Sequence, residues 1–328
     1  MSEKGSPQIV FCHVKDIEDF WLFLDWRIND YWFRGHENTD WHLKTSLERA
    51  HEKYWDFWKI YQTTRDADDA LAREYLHVLG YSENPLLRNE YHALASYARH
   101  AHLEGKSMLE IAAHLQHYEG KTRLLDVTSS IFIALFFAFE NCNAESRALW
   151  AFSKTALYDK CGVKKSLLVP QSIHDGMTFT CNVPKNDYNN AYGLENECFS
   201  LANKFFSEDE NSGSLQNAGI IPINIEANNS RLVAQNGCFL FPKTLLPFEE
   251  NLIAALDIKD STSLTKGDIE FKSVKEYVKK PLLGIPIIKL IFPEKFYKFA
   301  QDILHYANIS ARSIYPDEIG LAKSIRYW

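Results

Sequence analysis

Two hydrophobic periods divide this 328-residue chain. In the first half the spacing is helical. DIEDFWLFLDWRIND (16–30) opens on Asp16, whose carboxylate can cap free amides, and places Phe20, Trp21 and Leu24 on one face. DADDALAREYLHVLG (66–80) and NEYHALASYARHAH (89–102) carry acids early and bases late, as the helix dipole favours. SMLEIAAHLQHYEG (107–120) predicts the sharpest boundaries: Ser107 and Glu110 form a capping box, Met108, Ile111, Ala112 and Leu115 a stripe, and Gly120 the stop. Between them, Tyr31 to Arg34 reads as a short strand running into Gly35 and a loop.

The second half changes period. RALWAFS (147–153), GIIPINIE (219–226), GCFLF (237–241) and GIPIIKLIF (284–292) read as short strands set off by Pro, Gly, Asn and Asp. PEKFYKFAQDILHYA (293–307) predicts a late helix with Pro293 at its first position. Residues 154–220, with DYNNAYGLENE and SEDENSGS, read as an irregular exposed insertion. No repeat, low-complexity segment or linker divides the chain. The expectation is one α+β domain over 1–328, a helical N-terminal half packed on a mixed or antiparallel sheet from the C-terminal half.

One stretch combines both characters. In QHYEGKTRLLDVTSSIFIALFFAF (116–139), a dense polar group runs into Ile131–Phe139, which is apolar on every side. A helix hydrophobic all round is buried. Its start therefore directs Thr128, Ser129 and unpaired amides at the space beside His117 and Arg123, with Asp126, Thr128 or Ser129 as the cap. Free N–H groups, hydroxyls and a nearby arginine suit a phosphate or other anion. The same residues also fit a structural role, with Arg123 and Asp126 as a buried ion pair and Thr128 a plain cap.

Composition narrows the class of function. The chain is 46% hydrophobic and 14% aromatic with net charge −7, so no overall basic balance argues for nucleic acid. The longest apolar run is too short for a membrane span of about 20 residues. The six cysteines show no metal-type spacing and read as free thiols of a reducing, cytoplasmic setting. His114 and His117 share a helix face, but no third metal ligand accompanies them, so no metal site is expected. A Ser129–His117–Asp126 hydrolase lacks the G-x-S-x-G elbow, and no phosphate-binding glycine loop is present.

Phe33-Arg34-Gly35, Trp41, the TSLER of 45–49 and QHYEGKTRLLDVTSSIFIALFFA together resemble the FRG domain family of bacterial and phage proteins. Arg231, Gln235, Gly237 and Phe239 in SRLVAQNGCFLF, and the terminal ISARSIYPDEIGLAKSIR, are similar to its later segments. The resemblance implies a core over about 30–245 and an extension over 246–328. Glu119 stands where the family has glycine, and Val127 where it has tryptophan.

A second resemblance, to mono-ADP-ribosyltransferases of the R-S-E type, supplies chemistry and an ADP-ribosyltransferase-like form of the fold. Phe33-Arg34-Gly35 is similar to the first element, and Thr128-Ser129-Ser130 with Ala134 to Ala138 to the second. The resemblance implies that Arg34 grips a pyrophosphate and that Thr128, Ser129 and Arg231 hold the nucleotide NAD. At the third element Gln235 replaces glutamate; it can hydrogen-bond a ribose hydroxyl but cannot act as a base. Glu226, Glu249 and Glu250 lie nearby in sequence.

The expected site is thus Arg34, His117, Arg123, Asp126, Thr128, Ser129, Arg231 and Gln235, with His117 a proton carrier near neutral pH. Gly35 and Gly237 are expected to serve turns. Two functions stay open. One is an NAD-using ADP-ribosyltransferase or glycohydrolase, a toxin or phage-defence effector with a protein acceptor. The other is a non-catalytic module that binds a small-molecule or nucleotide ligand, or a protein, through a structural polar cluster.

Overall fold

Eight short strands form one mixed sheet in the order β5-β6-β3-β2-β4-β8-β1-β7. They are β1 (Ile9–His13), β2 (Tyr31–His36), β3 (Leu125–Thr128), β4 (Ser146–Ser153), β5 (Ile220–Ile223), β6 (Gly237–Pro242), β7 (Ile269–Phe271) and β8 (Ile287–Pro293). The computed structural model describes residues 7–25, 28–50, 85–141, 145–162, 185–206, 218–225, 230–259, 262–280 and 284–325. β1 runs parallel to β7 and β8, and the other pairings are antiparallel. The α+β class follows directly. Beyond the expected strand at Tyr31–Arg34, the front of the chain also supplies β1 and β3 to the sheet. β1, β3 and β7 escape pattern reading because they are short. β1 is buried on both faces, so it lacks the alternation of a half-exposed strand.

Helices cover both faces. On one face, Ile131–Phe139 packs with Ile17–Asp25, Val274–Lys279 and Tyr297–Tyr306 around Phe20, Phe33, Phe139 and Phe292. Ser130 caps Ile131–Phe139 by accepting from the Ile133 N–H at 3.4 Å, so neither Asp126, Thr128 nor Ser129 is its cap. On the opposite face, Lys154–Lys160 and Phe248–Leu256 pack over Trp150, Phe152 and Leu240. A separate cluster joins Met108–His117 and Lys185–Lys204 to Phe239 and Phe241 of β6. Its buried Cys198 and Ala202 fall in the stretch expected to be an exposed insertion. The helix expected at 66–80 and SEDENSGS lie outside the described residues.

Two features of the sheet prepare the site. Alternation along β2 turns Phe33 and Gly35 towards Ile131–Phe139 and Arg34 to the other side. A side chain at Gly35 would overlap the Ala134 carbonyl oxygen and the Ala138 nitrogen, so its glycine permits close approach of strand and helix and forms no turn. Gly237 likewise begins a strand, where a Cβ would press on Leu232. Second, β2 and β3 pair only at Phe33↔Thr128, whereas β2 pairs with β4 along its whole length. Beyond that single pair the sheet opens.

Candidate functional site

A cleft of about 770 Å³ occupies this opening. Arg34 and His36 of β2, Asp126 and Thr128 of β3, and Trp41 in the following loop contribute to its lining. The end of Met108–His117 adds Gln116 and His117, the start of β6 adds Gly237, and Arg231, Gln235 and Tyr315 close the far side.

Arg34 bridges the gap between the strands. Its Nη1 donates to the Asp126 carbonyl at 2.7 Å, replacing the missing ladder bonds with a side chain. Its Nε donates to His36 Nε2 at 3.2 Å, which leaves the His36 proton on Nδ1. Burial lowers the Arg34 pKa to about 10, offset by the Asp126 charge and reinforced by Arg49. Arg34 therefore stays charged at neutral pH. Among the described residues no carboxylate lies within ion-pair distance of it, and Nη2 has no partner. His36 is buried and held neutral, its pKa depressed well below normal by desolvation and then by Arg34 and Lys289. A half-buried guanidinium with no carboxylate at ion-pair distance is costly unless an anion joins it.

Asp126 is exposed on β3, and among the described residues no hydrogen bond engages its carboxylate. Thr128 is committed differently. Its hydroxyl donates to the Gln235 carbonyl at 2.8 Å and accepts from the Ser130 N–H at 3.0 Å, tying β3 to the turn before β6. Ser129 is exposed and outside the cleft; its N–H donates to the Asn236 carbonyl at 3.0 Å. The buried helix therefore reaches the cleft through Phe137 and Glu140, not through an open N-terminus.

Arg123 does not belong to the site. It is buried against Glu90, with Nε donating to both carboxylate oxygens at 2.8 and 3.1 Å, and its guanidinium lies over Phe206 and Phe241. The expected Arg123–Asp126 pair is thus replaced by Arg123–Glu90, because Arg123 points into a helical cluster and Asp126 into the cleft. Glu90 carries no signal in the sequence that marks it as the partner.

On the far side, Arg231 donates to the His117 carbonyl at 3.1 Å and lies 4.6 Å over the Tyr315 ring. Tyr315 donates to Glu140 at 2.9 Å, and Gln235 Nε2 donates to the Ile314 carbonyl at 3.4 Å. The terminal Tyr315-Pro-Asp-Glu-Ile-Gly320 segment is shaped by two local demands. Asp317 accepts from the Gly320 N–H at 3.1 Å, and a Cβ at Gly320 would overlap the Tyr315 carbonyl. Tyr315, at the start of this segment, is the residue of it that lines the site. Burial, then the Arg231 charge, lowers the His117 pKa, so His117 is neutral at pH 7. Its Nδ1 is buried without a partner among the described residues. His114 instead pairs with the Tyr97 hydroxyl at 2.9 Å, so the two histidines do not act together.

Glu249 accepts from the Leu43 N–H at 2.8 Å and pairs with His42, and neither it nor Glu250 lines the cleft; Glu226 lies outside the described residues. The carboxylates available in the cleft include Asp126 and Glu119. Sequence reasoning did not identify His36 or Tyr315 as site residues. The period of two along β2 would have placed His36 beside Arg34, whereas Tyr315 meets the cleft only through tertiary packing. No helix among the described residues is long and apolar enough to cross a membrane.

Residues 29–147 match the sequence model of the FRG domain. No curated protein and no solved structure matches the chain. The matched span contains Arg34, Trp41, His117 and Asp126, whereas Arg231, Gln235 and Tyr315 lie beyond it.

Proposed function

We propose that the FRG domain of this chain binds a phosphate-bearing nucleotide of the NAD class in the cleft between β2 and β3, with Arg34 as the anion-binding group. The observation that carries this reading is the setting of the Arg34 guanidinium: half-buried, tethered through Nε and Nη1, and facing no carboxylate at ion-pair distance among the described residues. A planar guanidinium with a free edge matches a phosphate better than an ammonium would. Arg231 adds a cation on the far wall.

The chemistry suited to such a ligand is cleavage of the bond between ribose C1′ and nicotinamide. Nicotinamide leaves with the bonding electron pair, which neutralises its ring, and Asp126 stabilises the oxocarbenium ion left on the ribose. Water attacks C1′ and passes its proton to Asp126, giving NAD glycohydrolase activity; a protein nucleophile in place of water gives ADP-ribosyl transfer. Gln235 orients a ribose hydroxyl. Either activity would suit a toxin or phage-defence effector, the role suggested by the resemblance to FRG and R-S-E proteins.

Nicotinamide release from NAD tests turnover. The wild type is expected to release it, and Asp126→Asn to slow release by a factor of about 10²–10⁴ with little change in KM, as removal of an acid–base group does. A wild type that binds NAD without releasing nicotinamide overturns the catalytic part. That outcome is the second reading, a ligand-binding module, and is favoured by Gln235 at the acid's position and by the engaged Thr128 hydroxyl.

A further inference from the structure

We infer that Trp41 is a stacking platform for a planar ring of the ligand, held in place by Lys289 through the loop between them. The inference rests on the anion-binding reading of Arg34 and names the second half of the ligand: an aromatic ring attached to the phosphate.

Trp41 lines the cleft and is 52% exposed, an unusual position for the largest apolar side chain. The backbone on either side of it is fixed. Thr39 is tied twice, its N–H donating to the Ser146 carbonyl at 3.2 Å and its carbonyl accepting from Lys289 Nζ at 2.8 Å. Asp40 N–H donates to the Asn38 side chain at 2.8 Å, and Leu43 N–H to Glu249 at 2.8 Å. One edge of the indole rests against His36, with centroids 6.2 Å apart and planes at 61°. His36 in turn accepts from Arg34. The exposed indole is therefore placed through one intervening side chain from the anion-binding arginine, on a loop held by these hydrogen bonds. Preorganisation of this kind removes the entropic cost of arranging the loop on binding.

Lys289 owes its own position to the sheet. Phe11, Lys289, Trp150 and Arg34 are register partners across β1, β8, β4 and β2. Lys289 Nζ sits 4.9 Å from the Phe11 ring centroid and 4.6 Å from that of Trp150, which leaves the ammonium aimed at Thr39. Lys289 is buried and lies outside the cleft lining, so it acts through the loop, as a positioning residue.

Calorimetric titration of the full chain with ADP and with inorganic pyrophosphate separates ring from phosphate. Wild type is expected to bind ADP more tightly than pyrophosphate. Trp41→Ala and Trp41→Leu should each weaken ADP by about tenfold and leave pyrophosphate unchanged, whereas Trp41→Phe should retain most of the ADP affinity. Arg34→Ala should weaken both ligands. Lys289→Ala should reproduce the Trp41→Ala pattern and Lys289→Arg should restore it. Equal wild-type affinity for the two ligands, or Trp41→Leu binding ADP as well as wild type does, overturns the stacking role and leaves Arg34 standing. A wild type that binds neither ligand overturns both readings.

Discussion

Arg123 and Arg34 differ in what faces each charge: a carboxylate for the first, a backbone carbonyl and a neutral imidazole for the second. Both are visible in the sequence as arginines flanked by motif residues, but nothing local distinguishes them, because the distinguishing partners arrive from distant elements. Glu48 illustrates the same limit. It is buried at the start of Phe248–Leu256, where Pro247 offers no capping side chain, and it accepts from the Phe248 N–H at 3.2 Å. Burial raises its pKa to about 7 from an ordinary 4.5. Between those values the folded state binds more protons than the unfolded state, so stability falls as pH rises from about 4.5 to 7. Glu48→Gln keeps an acceptor for the Phe248 N–H and removes the ionisation. Urea unfolding at pH 5 and pH 8 should show the wild type losing about 1–3 kcal/mol across that interval and Glu48→Gln losing little. An identical pH dependence in the two proteins would contradict the assignment.

Among elements, the legible ones are those whose own residues settle their state. The Ser107–Glu110 capping box and the helix it starts stand as the sequence suggests. That helix ends differently, because Glu119 takes the left-handed position at φ 63°, where the family resemblance has glycine, and Gly120 packs its bare Cα against Leu115. Ile131–Phe139 was legible as buried, and it is: Leu135 and Ala134 are fully enclosed. Its partner was not legible, since only the fold brings Gly35 against Ala134. Two substitutions test this contact. Leu135→Asp should abolish folding, as an unpaired buried charge does, and Gly35→Ala should cost several kcal/mol because backbone on both sides must move. A soluble Leu135→Asp protein with an unchanged melting temperature, or Gly35→Ala within experimental error of wild type, would contradict the packing.

At the scale of the whole molecule, the cleft exists because β2 changes partners: it stays with β4 along its length and leaves β3 after one pair. No pattern of hydrophobic residues encodes such a parting, so the sequence pointed to Arg34, His117, Asp126 and Gln235 without showing the gap that gathers them. The central claim is that this gap is a binding site for an anionic nucleotide and that Arg34 supplies its charge. Isothermal titration of NAD into the wild type and Arg34→Ala, with melting curves of both, tests that claim most directly. The wild type should bind, and Arg34→Ala should lose at least about tenfold in affinity, the scale of a charge-assisted hydrogen bond, while melting within a few degrees of wild type. Absence of NAD binding by the wild type, or a collapse of the Arg34→Ala melting temperature, would contradict the claim, the latter marking Arg34 as a brace between β2 and β3 instead of a ligand-binding group.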